Sequence, residues 1–106
     1  MKDDVIFSEQ EGRLTAYLGC DIDHHSARPM REKIDKALFE TKPQVLIIDF
    51  ASVSFMDSSG LGLILGRVEK ASALGATVRL TGLSPALMKL IRLSGVEKIH
   101  NLSVTK

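Results

Sequence analysis

Hydrophobic and polar positions change period along the chain, and each change marks an element. Val5 to Ser8 predicts a short strand, closed by a turn at Gln10-Glu11-Gly12. Arg13 to Gly19 then alternates, with Leu14, Ala16 and Leu18 on one side and Arg13, Thr15 and Tyr17 on the other. Successive strand side chains point to opposite faces, so this segment predicts a half-buried strand hairpinned to the first. From Ala27 the period lengthens: Ala27, Met30, Ile34, Ala37 and Leu38 recur at helical spacing, with Arg31, Glu32, Lys33, Asp35 and Lys36 outside. Two residues compete to cap this helix. A cap at Asp23 leaves Pro29 inside, where it removes a backbone hydrogen bond. A cap at Ser26 leaves Pro29 among the first amides, which have no intrahelical partner. The expectation is a regular helix from about Ala27, preceded by a looser turn.

Lys42-Pro43 punctuates, and Val45-Leu46-Ile47-Ile48 follows as an unbroken apolar run ending at Asp49-Phe50. Such a run predicts a central strand covered on both faces. Ser54-Phe55-Met56-Asp57 leads into a helix over Ser58 to Leu74. Its expected stripe is Leu61, Ile64, Leu65 and Val68, with Arg67, Glu69 and Lys70 facing water. Ala76 to Leu80 predicts another strand after Gly75. The last helix is the best marked: Ser84 caps it, Pro85 takes the first position, and Leu83 with Met88 forms a hydrophobic staple. Leu87, Leu90 and Ile91 form its buried side, and Gly95 ends it. A final strand is expected around Lys98 to Leu102. No repeat, linker or low-complexity tract interrupts the order. The fold class implied is α/β: a single-domain layer sandwich over residues 1–106, a mixed β-sheet with helices and right-handed crossovers between parallel strands.

Composition narrows the function. The chain has 106 residues, 44% of them hydrophobic and 25% charged, an ordinary folding composition for one domain. Only 5% are aromatic and none is Trp, so the core is built from aliphatic side chains. The 14 basic and 13 acidic residues leave a net charge of +1 without a dense basic run, which argues against direct nucleic-acid binding. Cys20 stands alone and forms no internal disulfide, in keeping with a reducing compartment. No apolar leader or membrane-length run stands out, so the expected location is cytoplasmic, with no membrane partner.

The chemistry concentrates in Asp57-Ser58-Ser59-Gly60-Leu61-Gly62, between a strand and a helix. A serine at a helix N-terminus exposes its hydroxyl, and a phosphate there adds roughly two negative charges that the helix end stabilises. Gly60 and Gly62 leave room for another protein's active site to approach, while Asp57 would repel a phosphate. The plain alternative is a capped helix with glycines for tight packing. A nucleotide site is disfavoured, because Gly60, Gly62 and Gly66 have the wrong spacing for a dinucleotide loop and no Gly-Lys-Ser/Thr occurs. A nucleophile elbow needs glycine on both sides of the serine, but Met56 stands on one of them. Cys20, His24, His25 and His100 hint at a metal, yet adjacent side chains rarely converge, so no metal or cofactor is expected.

These segments resemble a known family. Phe55-Met56-Asp57-Ser58-Ser59-Gly60-Leu61-Gly62, continuing to Arg67, resembles the signature of the sulphate-transporter and anti-sigma-factor-antagonist (STAS) domain family. Asp21-Ile22-Asp23-His24-His25-Ser26-Ala27 resembles its second marked loop. With Thr81-Gly82-Leu83-Ser84-Pro85, both are similar to the family's sporulation members. The resemblance implies a non-enzymatic antagonist of an anti-sigma factor that is itself an ATP-dependent serine kinase. It implies Ser58 as the phosphate acceptor and a partner-binding surface of Asp21, Asp23, His24, Asp57, Ser58, Ser59, Gly60 and Gly62. Unphosphorylated antagonist would bind the kinase and release a sporulation sigma factor, phosphorylated antagonist would be rejected, and a serine phosphatase would restore it. The free domain is expected to be monomeric. An antagonist of a general stress-response module, or a scaffold subunit of the same family, is the alternative. Cys20, Pro29 and the chain's stop soon after Leu102 depart from the family pattern.

Overall fold

The computed structural model describes residues 4–105. Its elements run β1 (Val5–Gln10), β2 (Arg13–Leu18), α1 (His24–Thr41), β3 (Val45–Asp49), α2 (Ser58–Ala73), β4 (Thr77–Thr81), α3 (Pro85–Ser94), a 3-10 turn (Val96–Lys98) and β5 (Leu102–Val104). The strands lie in sequence order in one mixed sheet, β1 antiparallel to β2 and the others parallel. The β1–β2 turn uses Glu11 and Gly12 alone, both at positive φ (50° and 78°). Such two-residue turns match the twist of a hairpin, so β1 runs on to Gln10 rather than ending at Ser8.

Strands β2 to β5 are added in one direction by right-handed crossovers, which places α1, α2 and α3 on the same face. Burial follows that face. Leu14, Ala16, Leu18, Leu46, Ile48, Val78 and Leu80 point toward the helices and are buried, while Arg13 and Tyr17 on the other face are exposed. Strand β3 is therefore central but covered on one face only, which corrects the expectation of two covered faces. Val45 and Ile47 look outward, half-buried, and Ile47 is flanked in register by Thr15 and Arg79. Lateral neighbours, and no second helix layer, shield these apolar side chains.

Helix α1 begins at His24, earlier than the expected Ala27. The two rival caps act together: the Asp23 carboxylate accepts from the amides of His25 and Ser26, and the Ser26 hydroxyl accepts from the Asp23 amide. This reciprocal box holds the first turn, so Pro29 lies inside the helix. Met30, Ile34 and Leu38 form the fully buried stripe of α1.

Arg67 corrects a second expectation. It does not face water: it is 2% exposed, with Nε 2.7 Å from Asp35 Oδ1 on α1. The buried side of α2 is Gly60, Leu63, Ile64, Arg67, Val68 and Ala71, so the stripe is rotated from the expected one and Leu65 stands 44% exposed. Burial pulls the Arg67 guanidinium below its ordinary value, and the Asp35 carboxylate opposes that pull.

Strand β4 starts at Thr77 because the Ala76 amide turns back to the Ala71 carbonyl and closes α2. Helix α3 forms as read: the Ser84 hydroxyl accepts from the Leu87 amide, Pro85 is first, and Gly95 ends it at φ 79°. The last strand lies further along than expected, at Leu102–Val104, because the 3-10 turn takes up Val96–Lys98 and buries Val96 first. Among the described residues, no helix is long and apolar enough to cross a membrane.

Candidate functional site

Parallel strands all end at one edge of the sheet, so the loops leaving β2, β3 and β4 meet there. The first two loops are stitched together. Ile22 and Met56 form an isolated parallel bridge: the Ile22 amide donates to the Phe55 carbonyl (3.0 Å) and the Asp57 amide to the Ile22 carbonyl (3.1 Å). Both side chains are buried, Ile22 completely. Asp21 Oδ1 braces the joint from outside, accepting from the amides of Ser54 (2.7 Å) and Phe55 (3.1 Å). Asp49 ties in the third loop, with Oδ2 accepting from the Thr81 hydroxyl and Oδ1 from the Ala51 amide. Gly82 sits against this loop at φ 71°, where an added Cβ would lie 2.8 Å from the Ala51 nitrogen.

The joint sets two helix caps side by side. Asp23 caps α1, and Asp57 caps α2 by accepting from the Ser59 amide at 2.7 Å. The Ser26 amide above all holds the Asp23 carboxyl below its ordinary value; desolvation opposes it, and the His25 amide and ring and the Ser26 hydroxyl add to the lowering. Ser58 is the first residue of α2 and is exposed. His24 and His25 open α1, both exposed, with ring centroids 4.0 Å apart.

The expected surface residues divide by what they do here. Asp23, His24, Ser58 and Gly62 are exposed, and Asp57 and Ser59 half-buried, around one patch. Asp21 is exposed, but its carboxylate is engaged in bracing the loops. Gly60 is buried, so it does not open the hydroxyl to a visitor. A Cβ there would meet Met56 Sδ at 2.7 Å and Met56 Cβ at 2.9 Å, so glycine lets α2 close onto the Ile22–Met56 joint. Gly62 has nothing within 4 Å of an added Cβ and does leave open space.

Three neighbours escaped the sequence reading. Phe55, 58% exposed, presents an apolar ring in the loop before Ser58. Arg28 and Arg31 stand with His24, Ala27, Ser59, Gly62 and Leu63 around a groove between α1 and α2. Their signal was available: Arg28 and Arg31 follow His24 at the spacing that shares one helix face. Among the described residues, no three of His, Cys, Asp and Glu are grouped to hold a metal ion.

Residues 5–105 match the STAS domain family. The chain belongs to that family. This STAS domain is 37% identical to the anti-sigma F factor antagonist of Lysinibacillus sphaericus over 76 residues, which cover 72% of the chain and 65% of that relative. It is 30% identical to the anti-sigma F factor antagonist of Paenibacillus polymyxa over 95 residues, covering 90% of the chain and 81% of the relative. Its fold superposes on the phosphorylated form of the Bacillus cell fate determinant SpoIIAA with a TM-score of 0.72, at 29% identity, over 96% of this chain and 91% of that one.

Proposed function

We propose that this STAS domain is a cytoplasmic anti-sigma factor antagonist switched by phosphorylation of Ser58. It binds an anti-sigma factor that is an ATP-dependent serine kinase, and so frees a sporulation sigma factor. Transfer of one phosphate to Ser58 ends the binding, and a serine phosphatase restores it. The observation that carries the reading is the exposed hydroxyl of Ser58, first in α2 and beside the cap Asp57, which the Ile22–Met56 joint sets next to Asp23. The likeness to anti-sigma F factor antagonists, and to a Bacillus cell fate determinant solved in its phosphorylated form, supports it. Asp23, His24, Asp57, Ser59 and Gly62 make the contact surface, with Phe55 as its apolar member. Asp21 and Gly60 hold that surface in shape.

A phosphate at this point adds roughly two charges next to Asp57, and a docked partner would have to desolvate all of them. Calorimetric titration of an anti-sigma factor kinase tests the charge argument. Ser58→Ala is expected to bind as the parent does, and Ser58→Asp about tenfold more weakly or worse, a change of ~1.4 kcal/mol. A Ser58→Asp domain that binds as tightly as the parent refutes it.

A further inference from the structure

A phosphate on the exposed Ser58 is solvated by water, and its immediate protein surroundings add little to that. Asp57 lies next to it, and its carboxylate already takes the Ser59 amide. The Gly60 amide is committed to the Asp57 carbonyl. The helix dipole remains, but it is a fraction of a charge set against about two. The neighbouring groove, whose lining begins one residue after Ser58, is differently composed. Ser59, Gly62 and Leu63 near the start of α2 form one wall, and His24, Ala27, Arg28 and Arg31 from α1 form the other.

Both arginines are exposed and able to move. Arg28 meets only Glu32, at 3.3 Å, in a pair whose side chains are 76% and 64% exposed. Such surface pairs are weak and readily exchanged. Arg31 has no ion-pair partner among the described residues, and the nearby buried Arg67 adds charge of the same sign. Of the carboxylates close by, Asp23 caps α1, Asp57 caps α2 and Asp35 pairs with Arg67, while Glu32 is released to water when Arg28 turns away.

We infer that the groove between the N-terminal halves of α1 and α2 is a docking site for the phosphoryl group carried by Ser58, with Arg31 and Arg28 as its cationic ligands and His24 at its rim. The site rests on the reading of Ser58 as a phosphate acceptor. It gives the switch a second effect: the phosphate draws the arginines across the mouth of the groove and reshapes the surface next to Asp23, besides adding charge.

Encoding phosphoserine genetically at position 58 tests the site without a kinase, so its outcome is independent of whether a kinase modifies Ser58. The readout is the phosphorus-31 shift of the phosphate followed through its second ionisation. An arginine-lined site favours the dianion, so the midpoint is expected to lie below that of the same protein unfolded in urea. Arg28→Gln with Arg31→Gln is expected to raise the folded midpoint by about half a pH unit or more. Arg31→Lys is expected to keep most of the shift, and Arg79→Gln on the open sheet face all of it. His24→Gln, measured alongside, separates the ring's titration from that of the phosphate. A double variant whose midpoint equals the parent's overturns the site.

Discussion

At Gly60 a single added carbon decides the geometry of the site. The thioether sulfur of Met56 could swing away from a new Cβ, but Met56 Cβ, at 2.9 Å, cannot move without the Ile22–Met56 bridge. Gly60→Ala is expected to cost about 1–3 kcal/mol in urea unfolding, with hydrogen-exchange protection lost first at the Ile22 and Asp57 amides. Gly62→Ala is the control two positions on: nothing crowds it, and replacing a helical glycine is expected to stabilise by up to about 1 kcal/mol. Arg67 makes the same point for charge. Asp35→Ala leaves a buried guanidinium unpaired, and the expected loss is about 3 kcal/mol. Adding Arg67→Met to that variant is expected to recover most of it, since an apolar chain of similar length fills the space. Equal losses in the single and double variants would show that packing, and not the orphaned charge, sets the cost.

Among the elements, α1 depends most on a local device. Asp23 and Ser26 satisfy each other's amides, and the Ser26 hydroxyl also donates to the Asp21 carbonyl at 2.8 Å, tying the cap to the loop. The Asp23 carboxyl is depressed from its ordinary 3.8 in the folded state. Its contribution to stability is therefore present above that value and is lost as pH falls through the lower folded value. Asp23→Asn, which still caps, is expected to match the parent at neutral pH and to flatten the acid limb of a stability-against-pH curve. An acid limb unchanged in Asp23→Asn would remove the carboxylate from the account.

How far each element could be read from the chain follows from where its causes lie. Helix α3 was legible down to its cap and its glycine end, because Leu83, Ser84, Pro85, Met88 and Gly95 carry all the signals locally. Strand β3 was legible as a strand, but its covering was not: Val45 and Ile47 are apolar on a face that only lateral neighbours shield. The start of α1 was missed because the rival caps were weighed as alternatives, whereas the fold uses both. Arg67 was misplaced because its counter-ion sits on another helix. The site was legible in its parts, Asp23 in one loop and Asp57-Ser58 in another. The joint that makes them one surface is a tertiary contact between Ile22 and Met56, which no local pattern announces.

On the scale of the whole molecule, topology does the positioning. Parallel strands laid down in one direction bring three loops to one edge and all three helices to one face. The other face keeps Ile6 and Tyr17 exposed and takes no part in presenting Ser58. The helix layer backs the sheet, and the loops at its edge carry Asp23, Asp57 and Ser58. The proposed phosphate at that edge would meet two helix N-termini, each with an acidic cap, and an exposed ring within one patch.

The most direct test is to incubate the domain with ATP and an anti-sigma factor kinase of the sporulation type, then weigh the intact protein and map the modified residue. The account predicts one phosphate, on Ser58, absent from Ser58→Ala. Complex formation without any phosphate, or a phosphate on Ser59 in its place, would contradict it and return Ser58 to the role of a first helical residue.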